Sequence, residues 1–381
     1  MTKLTRRQVL LDKIESETGT AETPSPSTDA VLALIGTEIT PEGEKVADDR
    51  LSDTLSKQPH AIGKLVTGLT RSHELRGGGI TGSAVAEPDF SALLQSCAMA
   101  RSDVVFVECG SVVGTFSQGE AVDGGTSSAT GTLIAHVAGG LLLEGVTGTF
   151  ESGETLTGGS SSATAVATAG PVTGHQYTPV SDPDAMKSVT TVYYRAGHKF
   201  TVAGCRSDFS LSMPVGQPAK LSFTQRGRFA VPVEEVNPTP VLNTDKPPLC
   251  VNLGLMIGDY EPTGINEITL AQGNVLTKDE DVNAPDGLHT YIITDRTPTG
   301  SVDPKAVALG DYNPWSEWVG GTLAALRFLL GSQPGNRIYI QAPAIQHVTT
   351  PYGDREGTMT NSLNFELKGV SGDDELRLVF F

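Results

Sequence analysis

Leu363-Asn364-Phe365-Glu366-Leu367-Lys368-Gly369 alternates apolar and polar residues, as a strand with one buried face must. Leu221-Ser222-Phe223-Thr224-Gln225-Arg226-Gly227 repeats the pattern nearly position for position. Two more pairs of segments precede these strands in the same order. Gly197-His198-Lys199-Phe200-Thr201-Val202 echoes Gly335-Asn336-Arg337-Ile338-Tyr339-Ile340. Asp89-Phe90-Ser91-Ala92-Leu93-Leu94 has the apolar spacing of Pro314-Trp315-Ser316-Glu317-Trp318-Val319. Three matches in one order imply a duplicated module: strands and one flanking helix, present twice.

Working outward, the chain divides into an N-terminal arm (1–30), a first module (31–230), a proline-rich connector (231–263), a second module (264–369) and a tail (370–381). Phe90, Leu93, Leu94 and Cys97 fall at i, i+3, i+4 and i+7 and so share one helical face. Phe90 and Leu93, with Trp315 and Trp318 in the second copy, are the expected module core. The spacing Val9, Leu10, Leu11, Ile14 allows a short amphipathic helix over Arg6–Glu17, or a flexible arm docking on a neighbour. Strand-like stretches follow at Val31–Ile35, Asp48–Leu55 and Lys64–Arg76, with a turn at Pro41-Glu42-Gly43. The tail Glu375-Leu376-Arg377-Leu378-Val379-Phe380-Phe381 is apolar enough to dock as an edge strand, on this chain or on another subunit.

A second, shorter repeat lies inside the first module, at 109–172. Gly114-Thr115-Phe116-Ser117-Gln118-Gly119-Glu120 returns 34 residues later as Gly148-Thr149-Phe150-Glu151-Ser152-Gly153-Glu154. Each copy is followed by the same kind of tail, Gly124-Gly125-Thr126-Ser127-Ser128-Ala129-Thr130 and Gly158-Gly159-Ser160-Ser161-Ser162-Ala163-Thr164. Repeats so poor in charge and rich in Gly, Ser and Thr read as small β-hairpin units inserted into the module.

Composition agrees with a turn-rich, mainly β chain: 43 Gly and 23 Pro among 381 residues, with only 19% charged. No apolar run reaches the ~18 residues of a membrane helix, and the basic N-terminus lacks the apolar core of a signal peptide. The chain is therefore expected to stay in the cytosol where it is made, without membrane insertion. Four scattered cysteines (Cys97, Cys109, Cys205, Cys250) suggest free thiols rather than a zinc or redox pair. A net charge of −17 argues against a surface that grips nucleic acid, which needs clustered Lys and Arg. It leaves open a surface that nucleic acid slides past.

Catalytic and cofactor patterns are weak. Gly77-Gly78-Gly79-Ile80-Thr81-Gly82 satisfies G-x-G-x-x-G in form, yet no helix opens there, so no dinucleotide site is expected. Asp279-Glu280-Asp281-Val282-Asn283 mimics the start of a calcium loop, but Ala284 and Thr290 stand where Gly and Glu are required. The seven histidines never fall at ligand spacing. We expect no cofactor, no metal and no enzyme activity.

Several motifs together carry a resemblance. They are Arg7-Gln8-Val9-Leu10-Leu11-Asp12-Lys13-Ile14-Glu15 with Gly19-Thr20, Asp53-Thr54-Leu55-Ser56, Glu74-Leu75-Arg76-Gly77 and Asp281-Val282-Asn283. More specific are Asp295-Arg296-Thr297-Pro298-Thr299-Gly300-Ser301-Val302-Asp303-Pro304 and Pro351-Tyr352-Gly353-Asp354-Arg355-Glu356-Gly357. On these the chain resembles the tail tube proteins of long-tailed bacteriophages, in the lineage with two tube-like modules per chain. The resemblance implies β-sandwich or half-barrel modules, each with one flanking helix, stacking as rings around a channel for DNA ejected into the host. It implies a structural protein of the virion tail, made in host cytoplasm, whose partners are itself and the tape measure, terminator and baseplate proteins. Two modules per chain suggest a trimeric, pseudo-hexameric ring with a negatively charged wall. Loops at Asp48–Pro59 and Leu276–Asp286 become candidate ring contacts, with Asp48, Arg50, Asp53, Ser56, Lys57, Asp279, Glu280, Asp281 and Asp286 as the residues to watch. The alternatives are a tail-completion or baseplate ring, and a carbohydrate-binding or hydrolytic β-sandwich with adhesive repeats.

Overall fold

In the computed structural model, which describes residues 4–51, 53–284 and 287–381, half of the chain is strand and 3% helix. The protein is mainly β, and its alternating segments are paired strands. The first half opens with β1 (Gln8–Ile14), β2 (Ala30–Val31), β3 (Glu38–Val46), β4 (Ala61–Glu74), β5 (Ile80–Thr81), β6 (Ala84–Val85) and helix α1 (Ser91–Ser96). The repeat region holds β7 (Met99–Val113), β8 (Ala121–Gly124), β9 (Thr130–Val137), β10 (Gly140–Thr147), β11 (Thr155–Gly158) and β12 (Thr164–Ala167). Then come β13 (Val172–Pro179), β14 (Val189–Arg195), β15 (His198–Pro214), β16 (Lys220–Phe229), β17 (Val233–Glu234) and β18 (Met256–Ile257). The second half contains β19 (Glu267–Ala271), β20 (Asn274–Asp279), β21 (Thr290–Arg296), β22 (Thr299–Val302), α2 (Pro314–Gly320) and β23 (Ala324–Leu330). It ends with β24 (Ile338–Thr349), β25 (Tyr352–Arg355), β26 (Thr358–Asn361), β27 (Leu363–Lys368) and β28 (Arg377–Phe380).

Two four-strand blocks have the same order. In one, β3 pairs β4, β4 pairs β16 and β16 pairs β15, with Phe223 facing Phe209. In the other, β19 pairs β22, β22 pairs β27 and β27 pairs β24, with Phe365 facing His347. The blocks join edge to edge through β15 and β19, where Leu211 faces Leu270 and Met213 faces Ile268. The result is one antiparallel run, β3-β4-β16-β15-β19-β22-β27-β24. Its inner face supplies Leu211, Leu221, Phe223, Leu270, Val302 and Phe365 to one apolar cluster. Helix α1 lies on that cluster with Phe90, Leu93 and Leu94 fully buried, each such side chain worth about 1.5–3 kcal/mol.

Five sequence-based expectations need correction. Arg6–Glu17 is neither a helix nor a free arm: β1 pairs along its whole length with β14 of the same chain. The apolar residues Leu10 and Leu11 are buried on opposite faces of that strand, which a helical period mimics over so short a span. Pro41-Glu42-Gly43 lies inside β3 and not in a turn, and Asp48–Leu55 forms no strand among its described residues. Trp315 and Trp318 are not core. Only Pro314 of α2 is buried, and Trp318 is 42% exposed, because α2 packs beside β24 and no described residue covers its outer side. The C-terminal tail is no edge strand and needs no second subunit: β28 sits between β13 and β24. With neighbours on both sides and layers on both faces, Leu376, Leu378, Val379, Phe380 and Phe381 are all buried.

The 34-residue repeat folds as two hairpin units related by a local twofold axis. Asp123 of β8 faces its own counterpart Thr157 of β11. Phe116, Val122 and Ala129 share a small core with their counterparts Phe150, Leu156 and Ala163. Each copy clasps the other with a glutamate. Glu120 accepts from the backbone N–H of Ser160 and Ser161 (3.1 and 2.9 Å), and Glu154 from those of Thr126 and Ser127 (3.2 and 3.1 Å).

Candidate assembly surfaces

The outer face of the eight-strand run is where the alternation sends the polar residues. It carries a row of short hydroxyls that bond across strands: Ser72 to Ser222 (3.0 Å), Thr269 to Ser301 (2.7 Å) and Ser212 to the Glu267 carboxylate (2.6 Å). Charges of both signs stand among them: Glu74, Glu267 and Glu366 with Lys220 and Lys368. Small hydroxyls satisfied by each other make a smooth, hydrated wall with few groups left to hold a ligand. Sequence reasoning missed this row. The alternation of Ser210 and Ser212 hints at it, but only the strand order shows that these hydroxyls adjoin those of β4, β19 and β22.

The predicted contact residues separate into two hairpin loops. In the first, Arg50 forms an ion pair with Asp48, while Asp53, Ser56 and Lys57 are exposed. In the second, Asp279 meets His289 Nδ1 (3.1 Å), Asp281 accepts from the Asn283 amide (2.8 Å), and Glu280 binds Lys64 of β4 (2.7 Å). That last pair ties the second hairpin to the first, and Val66, Leu276, Leu288 and Tyr291 pack as a small apolar cluster beneath it. Asp286 lies outside the described residues.

Two stretches of strand edge in the run have no strand partner among the described residues. One is the outer edge of β3. The other is the end of β24 past Ile345, beyond which β23 no longer pairs. Next to it Trp315 donates from Nε1 to the Tyr352 hydroxyl (3.1 Å) and packs edge-on against Trp318 and Tyr352. No group of three or more His, Cys, Asp or Glu able to hold a metal occurs among the described residues, and no helix is long and apolar enough to cross a membrane.

A sheet built from two equivalent blocks, with a stretch of unpartnered edge at each end among the described residues, suits a protein that adds copies of itself. A family model described as phage tail tube protein matches residues 107–367. The chain belongs to that family. It is accordingly a structural component of the phage tail, and the family points to a non-enzymatic role with assembly among tail proteins. A search of curated proteins found no match.

Proposed function

We propose that three copies close side by side into a pseudo-hexameric ring, and that rings stack into the tube through which the genome leaves the virion. The observation that carries this reading is the β15–β19 junction, which already joins two equivalent blocks into one sheet, while among the described residues the outer edge of β3 and the end of β24 past Ile345 have no strand partner. Such head-to-tail contacts generate rings when the rotation closes, and closure removes the exposed edges that otherwise aggregate. Three eight-strand runs at about 4.8 Å per strand would give a circumference of roughly 115 Å and a width of roughly 37 Å between backbones. A duplex with its water fits such a bore. The hydroxyl face would line it, and phosphates sliding past would find few Lys or Arg to bind. The tape measure, terminator and baseplate proteins are the partners this role requires.

Negative-stain electron microscopy of the purified protein, before and after concentration, tests the reading. Rings that stack into hollow tubes are the expected result, with a native mass of three chains per ring. Six chains per ring would sink the trimer. Single rings that never stack would favour a tail-completion or baseplate role, and a chain that never forms rings would remove the assembly reading. Within tubes, the paired hairpin loops are proposed contacts between or within rings. Asp281→Lys or Arg50→Glu should then shorten or abolish tubes, whereas unchanged tube length would count against these loops.

A further inference from the structure

The internal junction specifies a matching one between chains. We infer that the end of β24 and the residues that follow it (349–353), with the apolar surface of α2 beside them, receive residues 34–38 at the start of β3 of a second copy in the register of the β15–β19 seam. Thr349 would lie beside Glu38, and Thr350 beside Thr37. The inference rests on the ring reading and assigns it residues.

The register follows from equivalent positions. Ser210 faces Ser222, the residue before Phe223, and Thr349 faces Asn364, the residue before Phe365. Thr349 thus holds the place of Ser210, with Val348 as the extra residue of a bulge. On the donor side, Ala271 faces Thr299, next to Gly300, which faces Phe365. Glu38 faces Thr70, next to Arg71, which faces Phe223. Glu38 thus holds the place of Ala271, which pairs with Ser210 at the seam. Burial has the same sense in both seams: Thr350 and Thr37 turn inward as Leu211 and Leu270 do, while Thr349, Glu38 and Ser210 are exposed.

The flanking helices favour the same occupant. At the internal seam the second block reaches the end of α1, where Asn274 Nδ2 donates to the Cys97 carbonyl (2.8 Å). The matching helix α2 has no such cover among the described residues and exposes Trp318 and Val319, the latter by 81%. The donor edge brings its own apolar residue, Ile35, 84% exposed. The two edges lie at opposite ends of the run, roughly 34 Å apart along the sheet. One chain therefore cannot satisfy both.

Cysteine pairing in the full chain tests the register. Thr349 and Glu38 take the place of a pair that does not exchange backbone hydrogen bonds at the internal seam, where Gln272 N–H donates to the Phe209 carbonyl and Val215 N–H to that of Asn266. Pairs of that kind bring side chains close enough for a disulfide. The double variant Thr349→Cys/Glu38→Cys, oxidised in assembled rings, should give a covalent ladder on a non-reducing gel that stops at the ring's copy number. Ser210→Cys/Ala271→Cys should close within one chain and verify that the seam tolerates cysteine. Rings without a ladder, or a ladder only from the shifted pair Thr349→Cys/Thr40→Cys, would overturn this register and leave the ring reading standing. A wild-type chain that forms no rings at any concentration would overturn both.

Discussion

Arg71 is fully buried and its guanidinium meets the Asp12 carboxylate with two parallel bonds of 2.8 Å, while its second terminal nitrogen also donates to Gln225 (2.6 Å). The Thr191 hydroxyl donates to Asp12 (2.6 Å). A charge this deep is costly unless paired. Asp12→Ala should therefore lower unfolding free energy by about 3–5 kcal/mol, and Asp12→Leu with Arg71→Met should restore most of it; urea denaturation of the three variants checks both. Two residues on, His73 packs between Phe90 and Phe223 and bonds the Leu32 carbonyl through Nδ1. Burial, assisted by the Arg71 charge, pushes its pKa down to about 3. The unfolded chain takes up this proton near pH 6.5 and the folded chain only near pH 3. Stability is therefore full above pH 6.5 and falls as pH drops through that window, by about 1.4 kcal/mol per pH unit from this group. His73→Phe should flatten that part of the acid limb in denaturation curves taken at several pH values.

At the scale of elements, the glutamate clasp makes the repeat unit depend on ionised carboxylates. Burial raises the Glu120 pKa, but donors from Ser161, Ser117 and Ser160 outweigh it and bring it to about 2. Its contribution is present above the unfolded value near 4.5 and is lost as pH falls towards 2. Glu120→Gln should speed amide exchange at Ser160 and Ser161 by roughly tenfold, leaving Thr126 and Ser127 protected by Glu154; equal loss in both copies would refute independent clasps. The elements themselves were unequally legible. Leu221–Gly227 and Leu363–Gly369 showed their strands because one face is buried and the other polar. The tail 376–381 and β1 lack that contrast, since they are covered on both faces, and their pattern alone does not give their place in the sheet. The exposure of Trp318 is illegible for another reason: apolar spacing marks a helical face but not whether anything covers it. The open edges and the hydroxyl row belong to strand order, which no single stretch of residues records.

At the scale of the molecule, the β15–β19 seam changes the arithmetic of assembly. In the proposed ring, six separate modules would need five encounters before the sixth seam could close, each limited by how often free molecules meet. With modules fused in pairs, half of the seams form within a chain, at an effective concentration set by the 231–263 connector and in the millimolar range for short tethers. Only the seams between chains then respond to dilution. Ring formation should accordingly depend on about the third power of protein concentration, which light scattering across a dilution series can read. Separating the halves would turn each internal seam back into a bimolecular step, so the fused chain can wait as a monomer that is already half of every contact it will make.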